Sequence, residues 1–207
     1  MKGSMVLGLM CVFSLGFWGM AMEVALAQKT LPSPTAVQFR PREIRMDRNR
    51  DGRIDRVEIY DENGVILRVE ADTNGDGKIN EWVYYKNGVP EKGERDINAD
   101  GKPDAVLIYD KAGAIIRAET DTNGDGKADE WINYKDGRAT QAEKDTNADG
   151  KADIYLTYDA NGVVIESKTD ANKDGKIDEW VTYKDGKPSK AEKDTDGDGK
   201  PDTWLTY

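Results

Sequence analysis

"DTNGDGKADEWINYKDG", residues 121–137, is the fourth of seven variants of one phrase, and its reading decides the fold. Oxygen-bearing side chains stand at its first, third, fifth and ninth residues, Asp121, Asn123, Asp125 and Asp129, with Gly126 at the sixth. Glycine accepts a positive φ without steric cost, so the chain turns sharply enough for those oxygens to converge. The aromatic run "EWINYK" then reads as a strand, and Asp136-Gly137 supplies the backbone that a tight hairpin needs.

The copies begin at Asp47, Asp72, Asp96, Asp121, Asp145, Asp170 and Asp194, at intervals that alternate between 25 and 24 residues. The true repeat is therefore a 49-residue pair starting at Asp47, Asp96 and Asp145, followed by a last loop and strand from Asp194. A chain with a fixed period buries short apolar strips between neighbouring units instead of building one large core. Trp82, Trp131, Tyr155, Trp180 and Trp204 hold one equivalent position, and Tyr60, Tyr85, Tyr109, Tyr134, Tyr158, Tyr183 and Tyr207 another, three residues on. Three is an odd step in a strand, so the two sets point to opposite faces, and both faces need some cover.

The return strands divide into two kinds. After Gly64, Gly113 and Gly162 they begin apolar; after Gly88, Gly137 and Gly186 they are polar and include Pro90 and Pro188. Proline donates no ladder hydrogen bond, which places these runs at an edge or a bulge. The expected fold class is all-β: tandem 24/25-residue units of loop plus β-hairpin, paired into the 49-residue repeat, in an open elongated or solenoid-like array. The alternative is a propeller-like closure.

The first residues read as a leader. An apolar stretch from Met5 to Met20 follows Met1-Lys2, and Ala25-Leu26-Ala27 offers a cleavage site before Gln28. This gives a signal peptide over 1–27, a flexible lead-in over 28–38, and one repeat domain over 39–207, whose first strand spans Phe39 to Met46. Cys11 lies inside the apolar run, and Gly8-Leu9-Met10 lacks the small residue expected just before a lipidated cysteine. The rest of the chain has no cysteine, and the whole chain has no histidine. The 207 residues carry a formal charge of −10, which disfavours nucleic acid and suits hard cations. The expected location is secreted: extracellular, cell-surface or periplasmic. No transmembrane segment is expected after cleavage.

All-oxygen ligands with this spacing match an EF-hand calcium loop up to its ninth residue, the seventh ligand being a backbone carbonyl. In the first loop the candidates are Asp47, Asn49, Asp51, the carbonyl of Arg53, Asp55 and Glu58. The second offers Asp72, Asn74, Asp76, Lys78 and Asn80, and the third Asp96, Asn98, Asp100, Lys102 and Asp104. Lys127 completes the fourth. The fifth has Asp145, Asn147, Asp149, Lys151 and Asp153, and the sixth Asp170, Asn172, Asp174, Lys176 and Asp178. The seventh has Asp194, Asp196, Asp198, Lys200 and Asp202. The cofactor expected is Ca2+, at up to seven sites. Asn80 removes a charge and weakens the second site, while Asp196 enriches the last.

The twelfth position, a bidentate glutamate in an EF-hand, is Glu58 in the first loop only; the others have Val83, Leu107, Ile132, Leu156, Val181 and Leu205. The missing ligand must then come from water, a neighbouring unit or a local residue. Glu81, Glu130 and Glu179 stand at the tenth position of alternate loops. Glu70, Glu94, Glu119, Glu143 and Glu192 lie two residues before their loops, where solvated strand charges are the simplest role.

The loops resemble the aspartate-rich calcium loops of thrombospondin type 3 repeats and of FG-GAP repeats in integrin-like propellers. "DINADGKPDAVLIY" at 96–109 is especially close to the latter. The resemblance spans about residues 47–207 and implies calcium binding. It implies a closed propeller less well, since three and a half pairs make too few blades. The tyrosine-x-x-glycine hairpins look like MORN-type repeats, which imply open stacks.

No cysteine or histidine after the leader, no nucleophile elbow and no acid pair outside the repeat argue against an enzyme. The expected function is a calcium-binding structural or adhesive repeat protein, rigidified and assembled by Ca2+. The alternative is a carbohydrate- or protein-binding module using the repeated Trp and Tyr positions. Expected partners are a second copy, paired through the terminal strand "DTWLTY" into a dimer or filament, or a surface glycan or protein.

Overall fold

Short runs rich in aromatic and β-branched residues, separated alternately by Asp-rich loops and Gly turns, form strands joined to their chain neighbours. The computed structural model describes residues 40–207, which form one unit. The leader over 1–27, the lead-in over 28–38 and Phe39 lie outside the described residues. The strands are β1 (Glu43–Met46), β2 (Arg56–Tyr60), β3 (Ile66–Ala71), β4 (Glu81–Lys86), β5 (Val89–Arg95), β6 (Ala105–Tyr109) and β7 (Ile115–Thr120). They continue as β8 (Glu130–Lys135), β9 (Arg138–Lys144), β10 (Ile154–Tyr158), β11 (Val164–Thr169), β12 (Glu179–Lys184), β13 (Lys187–Lys193) and β14 (Thr203–Thr206). They form one antiparallel sheet in strict chain order, open because β1 and β14 do not pair. No helix among the described residues is long and apolar enough to cross a membrane.

The two kinds of connection fall at opposite ends of the strands. Asn87-Gly88, Asp136-Gly137 and Asp185-Gly186 all have positive φ at both residues, the mirror-type turn that follows strand twist. The longer turns are tied by an aspartate: Asp61 Oδ1 accepts the Asn63 and Val65 amides at 2.9 and 2.7 Å. Those bonds hold the Asp61 carboxylate below its ordinary range. Every Asp-rich loop lies at the other end.

Residues directly opposite across a ladder share a face. One row crosses the sheet through the twelfth loop position, including Val69, Val83, Gly93, Leu107, Ala118, Ile132, Ala142, Leu156, Ser167, Val181 and Ala191. From Gly93 onward, outgoing strands carry the larger side chain and return strands Gly, Ala or Ser, so neighbours interdigitate. Val69, Val83, Ala118, Ile132 and Ala191 are 0–2% exposed. This row explains why the twelfth residue of most loops is apolar: it is turned into the core face and cannot ligate.

Tyr85 and Tyr109 lie on the same core face, buried, whereas Trp82, Trp131 and Trp180 lie half-buried on the opposite one. The sequence expectation of opposite faces holds. A one-residue bulge in each return strand allows its two ends to serve the core. At β3 the register moves from Ile59↔Arg68 to Tyr60↔Ile66, leaving Leu67 unpaired. Ile66 and Val69 are three residues apart, yet both are buried, while Leu67 is 44% exposed.

The polar strands β5 and β13 are not sheet edges, which corrects part of the expectation. Each is internal, but β6 pairs only with Lys92–Arg95, and β14 only with Lys190–Lys193. Pro90 and Pro188 therefore sit beside the bulge, where no second partner needs an amide donor.

The glutamates at the tenth position pair across the ladder. Glu81 meets Arg95 at 3.7 Å and Glu179 meets Lys193 at 3.0 Å; Glu130 lies opposite Lys144. Burial pushes the Glu81 carboxyl up, with Arg95 partly opposing it. Glu70, Glu94 and Glu119 pair with Arg68, Lys92 and Arg117 on the Trp-bearing face.

Candidate metal-binding edge

Each loop runs from its first to its ninth residue between two strands, and the loops are joined to one another. The amide of the ninth residue donates back to the residue before the loop, as Asp129 N does to Thr120 O at 2.8 Å. The amide of the first residue donates to the ninth carbonyl of the preceding loop. Asp72 binds Asp55, Asp96 binds Asn80, Asp121 binds Asp104, Asp145 binds Asp129, Asp170 binds Asp153 and Asp194 binds Asp178, at 2.7–2.9 Å. Six bonds thus chain seven loops along one edge.

Inside a loop, the side chains orient one another through the backbone. In all seven, the Gly amide at the sixth position donates to the first aspartate, at 2.6–2.9 Å. The seventh amide donates to the fifth aspartate: Arg53, Lys78, Lys102, Lys127, Lys151, Lys176 and Lys200 do so at 2.8–2.9 Å. The third side chain, Asn49, Asn74, Asn98, Asn123, Asn147, Asn172 or Asp196, accepts the amide of the fifth residue in every loop. In the first, third, fourth and sixth loops the ninth side chain accepts amides of the second and third residues, as Asp104 does from Ile97 and Asn98 at 2.7 and 2.9 Å.

Burial raises the carboxyl of Asp121, but the Gly126 and Gly124 amides outweigh it and hold the group below its ordinary range. Asp194 is held low by Gly199 and Gly197 against the same opposing effect, and Asp202 by the Thr195 hydroxyl and amide. These groups are anions at neutral pH, a precondition for holding a cation.

Among the described residues, two groups bring three carboxylate oxygens within 4.8 Å of one another. One is Asp47, Asp51 and Asp55 of the first loop; the other is Asp194, Asp196 and Asp202 of the last. The donor set is hard oxygen throughout, which fits Ca2+ better than a softer metal. In several loops an asparagine amide group stands among the carboxylates. Asn98 Nδ2 donates to Asp104 Oδ1 at 2.9 Å, and Asn172 Nδ2 to Asp174 and Asp178 at 3.4 and 3.1 Å. Asp196 brings no such hydrogen to the last loop, so the demand for an external cation is greatest there.

Asn80 keeps the loop frame without the charge: its Oδ1 accepts the Thr73 amide and hydroxyl at 2.8 and 3.0 Å. Glu58 stands apart from the first cluster. Its carboxylate is taken by Arg56 Nε at 2.7 Å and by the Tyr60 hydroxyl, on the core face. Two features escaped the sequence reading. Thr73, Thr122, Thr146 and Thr195 each add a hydroxyl to the ninth side chain, and the recurrent Asp-Thr pair was the available signal. Lys173 reaches from the sixth loop to Asp153 and Thr146 of the fifth. Burial raises the Asp153 carboxyl, but that ammonium and Thr146 bring it below its ordinary range.

No protein-family model matches the chain, and no curated protein does. Similar solved structures include accessory secretory protein 1, 2 and 3 of Streptococcus pneumoniae, at 16% identity and a TM-score of 0.35. That match covers 44% of this chain and 17% of the other. A second is a mutant of S. aureus TarM in complex with Fondaparinux, alpha-GlcNAc-glycerol and UDP, at 14% identity and a TM-score of 0.30. It covers 65% of this chain and 21% of the other.

Proposed function

We propose that the chain is a secreted or cell-surface calcium-binding structural or adhesive repeat protein, in which Ca2+ stiffens the loop edge of a solenoid-like array of 49-residue pairs. The observation that carries this reading is the hydrogen-bonded chain of Asp-rich loops, with three carboxylates converging in the first and the last. Without a cation those carboxylates repel one another. Bound Ca2+ would remove the repulsion, and binding energy would become folding energy because the unfolded chain presents no site. All seven loops are assigned to this role, with no catalytic centre. Assembly through the last strand belongs to the same reading, and Trp204 and Tyr207, 66% and 73% exposed, are the apolar surface it would use.

Thermal melting with calcium and with chelator tests this. At an affinity near 10⁻³ M, about 10 mM Ca2+ adds roughly 1.4 kcal/mol per site. Two filled sites raise the melting temperature by about 6–12 °C. Equal melting in calcium, magnesium and chelator contradicts the reading.

A further inference from the structure

The half-buried face opposite the core differs between the two parts of the sheet. One cross-strand row carries Val57, Trp82 and Val106 on β2, β4 and β6, then Trp131, Tyr155, Trp180 and Trp204 on β8, β10, β12 and β14. From β8 onward every second strand presents an aromatic ring, at intervals of two strand spacings, about 9.6 Å. The adjoining row changes at the same place. On β2–β7 it holds bulky or cationic side chains such as Ile59, Arg68, Tyr84 and Ile108; on β8–β14 it holds Asn133, Gln141, Thr157, Thr182 and Thr206, with Glu166 and Lys190. The repeat alone does not require either change.

Two cavities open beside Tyr155. One of about 390 Å³ lies against the fifth and sixth loops, whose Asp149, Asp153, Asp170 and Asp174 line it together with Trp131 and Tyr155, and one of about 150 Å³ is lined by Gln141, Tyr155, Thr157 and Glu166 among others. Tyr155 is 36% exposed, and its hydroxyl donates to Ala152 O at 3.0 Å, which fixes the ring.

We propose that the β8–β14 part of this face binds an extended, uncharged β-linked glycan lying across the strands. Trp131, Tyr155, Trp180 and Trp204 are its stacking platforms, and Asn133, Gln141, Thr157 and Thr182 its hydrogen-bonding partners. The apolar face of a pyranose ring stacks on an aromatic ring, while its hydroxyls need neutral donors and acceptors beside the platform. The platform interval suits two linked pyranose rings per step. The charges between the platforms are mixed, Glu143, Lys168 and Glu192 alternating in sign, so the surface offers neither a polyanion nor a polycation a continuous track. This assignment deepens the carbohydrate reading of the repeated aromatics, and its platforms and polar row lie on the strands, outside the metal loops.

Calorimetric titration of the full chain with cellohexaose and with chitohexaose tests it. The expected result is binding of one of these at least about tenfold tighter than of its disaccharide, because several platforms act together. Trp131→Ala and Trp180→Ala each weaken binding about tenfold or more, and Trp82→Ala leaves it within about twofold. Should Trp131→Ala fail to fold, the double variant Asn133→Ala, Thr182→Val disturbs the polar row and keeps the platforms; it too weakens binding. No heat with either hexasaccharide at millimolar concentration overturns the proposal, as does equal loss in Trp82→Ala. Dimerisation abolished by Trp131→Ala, with no glycan binding, overturns it in favour of a protein partner. Melting of the same samples with and without calcium reads the metal separately, so failure of the calcium reading leaves the glycan result interpretable.

Discussion

Ile132→Ala is expected to lower the free energy of unfolding by about 3 kcal/mol, within the 2–5 kcal/mol range for such truncations. Ile132 is 2% exposed and fills the core row between Ala118 and Ala142, which are themselves too small to close a gap. Its neighbours on both sides are held by continuous ladders, so the site cannot collapse freely. Leu205→Ala, in the same row but 38% exposed, should cost about 1 kcal/mol or less. Urea unfolding in chelator measures both without a metal contribution. Equal effects at the two positions would show that the row is not the source of stability.

Asp129→Ala should cost about 2–3 kcal/mol in chelator, whereas Asp129→Asn should leave the fold intact. Asp129 is 3% exposed and accepts the Thr122 and Asn123 amides, both at 3.1 Å, and the Thr122 hydroxyl at 2.7 Å. Alanine strands these donors. Asparagine keeps an acceptor, as Asn80 does at the equivalent place in the second loop. With calcium present, the asparagine variant should gain less stability than the parent, since one carboxylate is gone. A comparable loss in both variants without calcium would mean that charge, not hydrogen bonding, holds the loop.

The strands, the loop positions and the opposed Tyr and Trp faces were legible because each follows from a local period, whereas the order of the strands in one open sheet was not. A 24/25 alternation marks every turn, and an odd step between Trp131 and Tyr134 sends them to opposite sides. Pro90 and Pro188 pointed to an edge or a bulge on β5 and β13, but the bulge of β3 was not legible. Leu67 and Val69 read as ordinary alternation, and only the pairing with β2 shows that Leu67 is the extra residue and Ile66 the buried one. The twelfth position was read as a missing ligand, when its place in the cross-strand row makes it core. Glu81 found Arg95 on the next strand, a pairing set by ladder register and hidden from any single unit. Within the loops the spacing foretold the convergence of Asp47, Asp51 and Asp55. It did not show Lys173 crossing to Asp153, because a lysine's reach depends on how adjacent loops stack.

The most direct measurement is a calorimetric titration of calcium into chelator-treated protein. The expected result is uptake of at least two ions, the first and last loops filling, and up to seven as the remaining loops follow, with a matching gain in thermal stability. No uptake at millimolar calcium would contradict the account and leave the Asp-rich loops as turns held by their own backbone hydrogen bonds.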